Sequence, residues 1–161
     1  MSEIKKTNAM RLLDQAHISY QYYEYETVDG KIDAVSVARK IGQEPEQVFK
    51  TLVTQSSARE HFVFVIPSVC ELDLKLAAKA AKQKSIEMIP QKQLLSTTGY
   101  IHGGCSPIGM KKLFPTFIDE TALLYDKICV SAGKVGLNLC LSPRDLASFV
   151  QAEFAQTARF L

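Results

Sequence analysis

The run Val48-Phe49-Lys50-Thr51-Leu52 places a lysine inside an apolar, β-prone stretch. Alternation along a strand puts Lys50 on one face with Val48 and Leu52. If that face looks inward, the ammonium needs an anionic partner, because an unpaired buried charge is costly. A ligand phosphate or carboxylate would serve. The competing arrangement is a lysine at a strand end whose ammonium snorkels to water. A second stretch, Gly99 to Gly109, holds Gly99, Gly103, Gly104, Gly109 and Pro107. Successive glycines let backbone approach a ligand closely and leave N–H groups to point at an anion or a carbonyl oxygen. Such donors can form an oxyanion hole without any catalytic side chain. A plain turn is the alternative, and the spacing is not that of a Walker loop. His102 and Cys105 share this loop, which admits a thiol nucleophile with a base. Three residues of irregular chain do not make them face each other, and a bystander cysteine is the simpler account. The third stretch, Ser131 to Asn138, reads by itself as a hairpin turn with Lys134 at its tip.

These residues need elements to hold them. Thr7 can cap a helix over Asn8–Ala16, and Ile18–Tyr25 alternates like a strand. Asp33 caps a helix over Ala34–Ile41 that Gly42 stops. Pro45 opens a short helical turn, and Val48–Thr54 and His61–Ile66 form a hairpin. Asp73 caps a helix over Leu74–Lys82; Ser85–Met88 is a short strand; Pro90 opens another helical turn. Gly99–Gly109 is too rich in glycine and proline for regular structure. Phe117–Asp119 and Lys127–Ser131 are strands, and Ala132-Gly133-Lys134 turns the chain into Gly136–Leu141. Ser142-Pro143 starts a helix near Arg144–Phe149. The irregular alternation implies an α+β fold with a mixed, partly antiparallel sheet surrounded by helices.

A chain of 161 residues without linker or repeat fits one domain over 1–161. Its 19 basic and 17 acidic side chains leave a net charge of +2, too mild for an arginine-rich nucleic-acid binder. The charge is uneven: residues 51–112 carry 8 basic and 4 acidic side chains, while both flanks are slightly acidic. That excess could attract phosphates or be a solvated helix face. No apolar run approaches the ~20 residues of a membrane span. Lys5 and Lys6 are followed by no apolar stretch, so no signal peptide is expected. Cys70, Cys105, Cys129 and Cys140 form no Cys-x-x-Cys pair, and His17, His61 and His102 are scattered. They read as free thiols in a reducing cytoplasm, with no metal and no cofactor expected.

The three stretches occur in this order in a known family. Phe49-Lys50-Thr51-Leu52, Gly99-Tyr100 with Gly103 to Gly109, and Ser131 to Leu137 resemble the signature of the YbaK/EbsC family. Glu71 to Lys75 and Pro115 to Asp119 are similar to it as well. Within that family the chain is most similar to the free-standing Cys-tRNA(Pro) deacylases. The resemblance implies a compact α+β domain with a barrel-like mixed sheet, related to the editing domain of prolyl-tRNA synthetases. It implies hydrolysis of the ester that joins a wrong amino acid to the tRNA 3′ end, without cofactor or metal. An aminoacyl ester is already activated, so positioning and oxyanion stabilisation can suffice. In the cysteine-specific members the substrate's own thiol attacks its carbonyl. By the resemblance, Lys50 holds the substrate near the terminal adenosine and its phosphate, and Gly103 turns its backbone to the reacting end. Tyr25, Thr51, Gly104, Ser106, Pro107, Ser131 and Asn138 are then the substrate-binding residues.

Close relatives often carry aspartate where this chain has Asn138. Asparagine keeps an accepting oxygen and loses the charge. The expected partners are tRNA and prolyl-tRNA synthetase, with no DNA and no membrane. A deacylase for another mischarged tRNA, such as Ala-tRNA(Pro), and a non-catalytic RNA- or nucleotide-binding module are the competing functions.

Overall fold

The structure, a computed structural model, describes residues 4–161. The first three residues, over which the signal-peptide and single-domain expectations also run, lie outside the described residues. The helices are α1 (Asn8–Gln15), α2 (Ala34–Ile41), α3 (Leu74–Ala81), α4 (Leu94–Thr98) and α5 (Pro143–Val150). The strands are β1 (Gln21–Glu24), β2 (Phe49–Ser56), β3 (His61–Pro67), β4 (Cys70–Leu72), β5 (Ile86–Met88), β6 (Thr116–Asp119), β7 (Ile128–Lys134), β8 (Leu137–Leu141), β9 (Glu153–Ala155) and β10 (Ala158–Phe160). No helix among the described residues is long and apolar enough to cross a membrane.

The helix ends follow from side-chain chemistry. Thr7 Oγ1 accepts from the Met10 N–H, Asp33 Oδ2 from the Ser36 N–H and Asp73 Oδ1 from the Lys75 and Leu76 N–H groups. Gly42 ends α2 in the left-handed conformation at φ 72°. α5 starts with Pro143 behind the Ser142 cap.

A five-stranded sheet runs in the order β5-β2-β3-β6-β9. Its β2 pairs antiparallel with β3 and β5, whereas β3–β6 and β6–β9 are parallel. An antiparallel sheet β1-β8-β7 faces it, and β10 pairs with β4. A parallel bridge from Val48 to Cys129 joins the approach of β2 to β7. The strands thus wrap one core without closing into a barrel. Phe49, Val53, Val65 and Ile118 of the larger sheet pack on Val130, Leu139 and Leu141 of the smaller, under Met10 and Leu146. On the other face, Phe64, Ile66 and Phe117 pack on Ala77 and Ala81 of α3. β3 is therefore covered on both sides, which is why it is apolar almost throughout.

The expected α+β mixture and mixed sheet are present, with three local differences. β7 runs through Lys134, because a bulge between Ser131 and Lys134 absorbs the residues expected to turn. The strands β4, β9 and β10, of three residues each, have no counterpart in the sequence pattern. The expectation of four free thiols is corrected: Cys129 and Cys140 are directly paired across β7 and β8 and joined in a disulfide, leaving Cys70 and Cys105 free. Facing cross-strand positions bring Cβ atoms close enough to bridge, whatever the sequence spacing.

Asp119 shows how the C-terminal strands are held. Its carboxylate is 2% exposed at the end of β6. Oδ1 accepts from the Thr157 N–H at 2.9 Å, the Thr157 hydroxyl at 3.1 Å and the Ala158 N–H at 3.0 Å. Oδ2 accepts from the Thr121 N–H and hydroxyl. A buried carboxylate is tolerated only with such partners. Asp119→Ala would strand several buried donors, so a loss of about 3 kcal/mol is expected. Urea unfolding should show a lower midpoint at constant slope.

Candidate active site

The β2 entry, the start of α2, the glycine-rich loop and the β7–β8 pair converge on one cavity of about 370 Å³. Of the residues singled out by the sequence, Tyr25, Lys50, Thr51, Gly103, Ser131 and Asn138 line it. His102 and Cys105 line it too.

Lys50 is half-buried, one residue into β2 opposite Ile66. Its ammonium makes no hydrogen bond or ion pair among the described residues. Burial lowers its pKa, and the nearby Cys70, Glu71 and Asp33 oppose that only in part. A desolvated ammonium without a fixed partner is a ready receptor for an anion.

Two residues of the cavity wall carry a polar atom that has no partner among the described residues. Thr51 Oγ1 and Asn138 Oδ1 are buried and make no hydrogen bond. Such groups are uncommon in folded proteins and each costs free energy until something pairs with it. Asn138 lies on β8 opposite Ser131 of β7 and Tyr23 of β1. Ser131 Oγ accepts from the Gly133 N–H at 3.1 Å, so it holds the bulge while its own proton remains free to donate.

Gly103 sits at φ 87°, and a Cβ there would lie 2.5 Å from Ile32 Cδ1. Only glycine fits without displacement. Its N–H makes no hydrogen bond among the described residues and is free to meet a ligand. The Gly104 N–H is already used, donating to the Ile101 carbonyl at 3.0 Å. Gly104 lets the loop lie against the β7–β8 turn, where a Cβ would come within 3.1 Å of the Val135 nitrogen. Ser106 is fully buried, and its Oγ accepts from the Ile108 N–H at 3.2 Å. Pro107 faces a separate groove beside Phe114 and Phe149. Gly104, Ser106 and Pro107 therefore build the loop and do not line the cavity. Tyr100 fastens the same loop: its hydroxyl donates to the Ile108 carbonyl, and its ring covers Gly133. Burial pushes the Tyr100 hydroxyl up to about 12, so it stays protonated as a donor.

Burial also pushes the Cys105 thiol up to about 12. A thiol in that state supplies almost no thiolate at neutral pH and is a poor nucleophile. Cys105→Ser is therefore expected to retain turnover within about threefold, since no covalent step passes through it. Complete loss of activity in a folded Cys105→Ser protein, measured in single turnover, would restore the thiol as nucleophile.

Sequence reasoning missed Asp33 as a wall residue. It caps α2, and the Ser36 hydroxyl and N–H hold its carboxyl below the usual range. It is the one carboxylate among the described residues that line the cavity. Ile32 was missed as well, and only its contact with Gly103 reveals it.

Residues 30–149 match the model of the aminoacyl-tRNA editing domain. A relative from Enterococcus faecalis, provisionally named Cys-tRNA(Pro)/Cys-tRNA(Cys) deacylase EbsC, is 47% identical over 152 residues. The alignment covers 94% of this chain and 93% of the relative. A crystal structure provisionally described as a trans-editing enzyme for prolyl tRNA synthetase superposes with a TM-score of 0.81 at 20% identity. It covers 96% of this chain and 99% of the other. The crystal structure of a protein described only as hypothetical superposes with a TM-score of 0.84 at 19% identity, over 92% and 97% of the two chains. At such identities these two structures speak to the fold.

Proposed function

The chain belongs to the aminoacyl-tRNA editing domain family, and from that premise we propose that it hydrolyses the ester of cysteine mischarged onto tRNA(Pro). The observation that carries this reading is that one cavity is lined by Lys50, Thr51 and Asn138, whose ammonium, Oγ1 and Oδ1 have no partner among the described residues. An aminoacylated adenosine presents matching groups: a phosphate, an α-ammonium, a carbonyl oxygen and ribose hydroxyls.

In this arrangement Lys50 meets the phosphate beside the terminal adenosine. Asn138 Oδ1 accepts from the α-ammonium, and Asp33 supplies the negative charge that Asn138 lacks. The Gly103 N–H points at the carbonyl oxygen, where charge grows as the carbonyl is attacked. The substrate's sulfur then forms a bond to its own carbonyl carbon and the ester C–O bond breaks. The thiol proton ends on the departing ribose oxygen, and water opens the small thioester ring. The protein contributes position and electrostatics, while the nucleophile belongs to the substrate. Tyr25 and Ser131 shape the wall around the amino acid. Prolyl-tRNA synthetase is the natural source of the mischarged substrate, because its pocket cannot exclude a similarly sized or smaller amino acid by binding alone.

Deacylation of tRNA(Pro) charged with cysteine, alanine or proline tests the reading. Cysteine esters should be cleaved far faster than the others, and far faster than a serine ester of the same tRNA. Equal rates for cysteine and serine would remove the substrate thiol from the mechanism. Preference for alanine would reassign the substrate.

A further inference from the structure

Two lysines outside the cavity flank the loop that carries His102 and Gly103 into it. Lys111 lies across Gly99, with its Cγ 3.3 Å from where a Cβ would stand, and its N–H donates to the Thr98 carbonyl at 3.0 Å. Lys134 follows Gly133, and its Cα lies 3.4 Å from the Cβ position of Gly104. Tyr100 joins the two places, its ring carbon 3.0 Å from the Cβ position of Gly133. Both lysines are exposed, and neither ammonium makes an ion pair or hydrogen bond among the described residues. Ile101, next to Tyr100 in the chain, stands 57% exposed. Ile32 reaches the same loop at Gly103, and the charges around it are mixed: Asp33 stands near Arg39, and Asp29 and Glu26 hold Lys40.

We propose that the lip formed by Lys111 and Lys134 binds the phosphate backbone of the single-stranded RNA leading to the 3′ end held in the cavity. This rests on the editing function proposed above. An RNA whose last nucleoside is in the cavity must leave across one lip, and its phosphates carry a charge at every step. Around Asp33 and Asp29 the acids are matched by Arg39 and Lys40 and give the phosphates no net attraction. The lysine lip attracts them, and Ile101 offers apolar surface to the sugars and bases between. Contacts of this kind fix position without reading sequence. They also fit a protein of small net charge, because the positive potential is local.

Lys111→Gln with Lys134→Gln, and the same pair changed to Glu, test the lip while keeping long side chains over Gly99. Binding of uncharged tRNA should weaken on the order of tenfold for the Gln pair and further for the Glu pair. The slope of log K against log salt should fall by about 1.4, or about 0.7 for each lost single-strand phosphate contact. The ratio of kcat/KM for Cys-tRNA over that for 3′-cysteinyl-adenosine should fall by a similar factor. Affinity and salt slope equal to wild type in folded Glu-pair protein would overturn the proposal. So would a loss seen only when a synthetase is added, which would assign the lip to a protein partner. Failure of the wild-type protein to cleave cysteinyl-adenosine and Cys-tRNA would instead defeat the editing function, and the tRNA-binding measurement would still decide the lip.

Discussion

Lys50→Ala is expected to lower single-turnover deacylation on the order of a hundredfold, in a protein that melts no lower than wild type. Both halves of this result come from the same observation. Lys50 is half-buried on β2, and its ammonium has no hydrogen-bond or ion-pair partner among the described residues, so its charge is a cost by itself and an attraction toward an anion. Lys50→Arg should recover only part of the rate, because a planar fork does not reproduce a compact ammonium in a small cavity. Normal turnover in well-folded Lys50→Ala protein would sink the site.

The stability half has a pH signature. Burial sets the folded-state pKa of Lys50 below its ordinary value of 10.5. Between the folded and unfolded values the unfolded chain binds more protons, so this group makes stability rise with pH across that window. Below the folded value the whole penalty is present. The melting temperature of Lys50→Ala should therefore equal or exceed that of wild type at pH 7, and the advantage should shrink as pH rises toward 10.5. An advantage that grew with pH would contradict a depressed lysine.

The cap residues made the helices legible: Asp33, Gly42, Asp73 and the Ser142-Pro143 pair each act through their immediate neighbours, so position in the chain is enough to read them. Lys50 was legible because a charge in an alternating apolar run violates its surroundings. The β7–β8 register was not. Counted outward from the Lys134–Leu137 pair without a bulge, Ser131 would face Cys140 and Cys129 would face Ser142. The bulge moves β7 on by two residues, and only then does Ser131 face Asn138 and Cys129 face Cys140. A bulge depends on how the two sheets pack, which no local pattern carries. β4, β9 and β10 are too short for an alternation to register. Asp33 was visible as a cap and invisible as a cavity wall, since its second role depends on β2 and the glycine loop arriving beside α2 from far along the chain.

The glycine loop gives the other large effect. Gly103→Ala is expected to cut the single-turnover rate by about a hundredfold, the usual consequence of misplacing a reacting group by an ångström. Two causes act together and can be separated. A side chain at φ 87° strains the backbone by about 1–2 kcal/mol. The new Cβ also meets Ile32 Cδ1 at 2.5 Å, whereas Ile32 Cγ1 stands at 3.3 Å. Ile32→Val removes the offending methyl and leaves the rest of the wall in place. Added to Gly103→Ala, it should recover part of the lost melting temperature and little of the rate, because the strained peptide still turns its N–H away from the carbonyl oxygen. Full recovery of the rate would mean that the wall's shape, not the Gly103 N–H, sets the chemistry. Wild-type turnover in Gly103→Ala alone would remove this amide from the oxyanion role altogether.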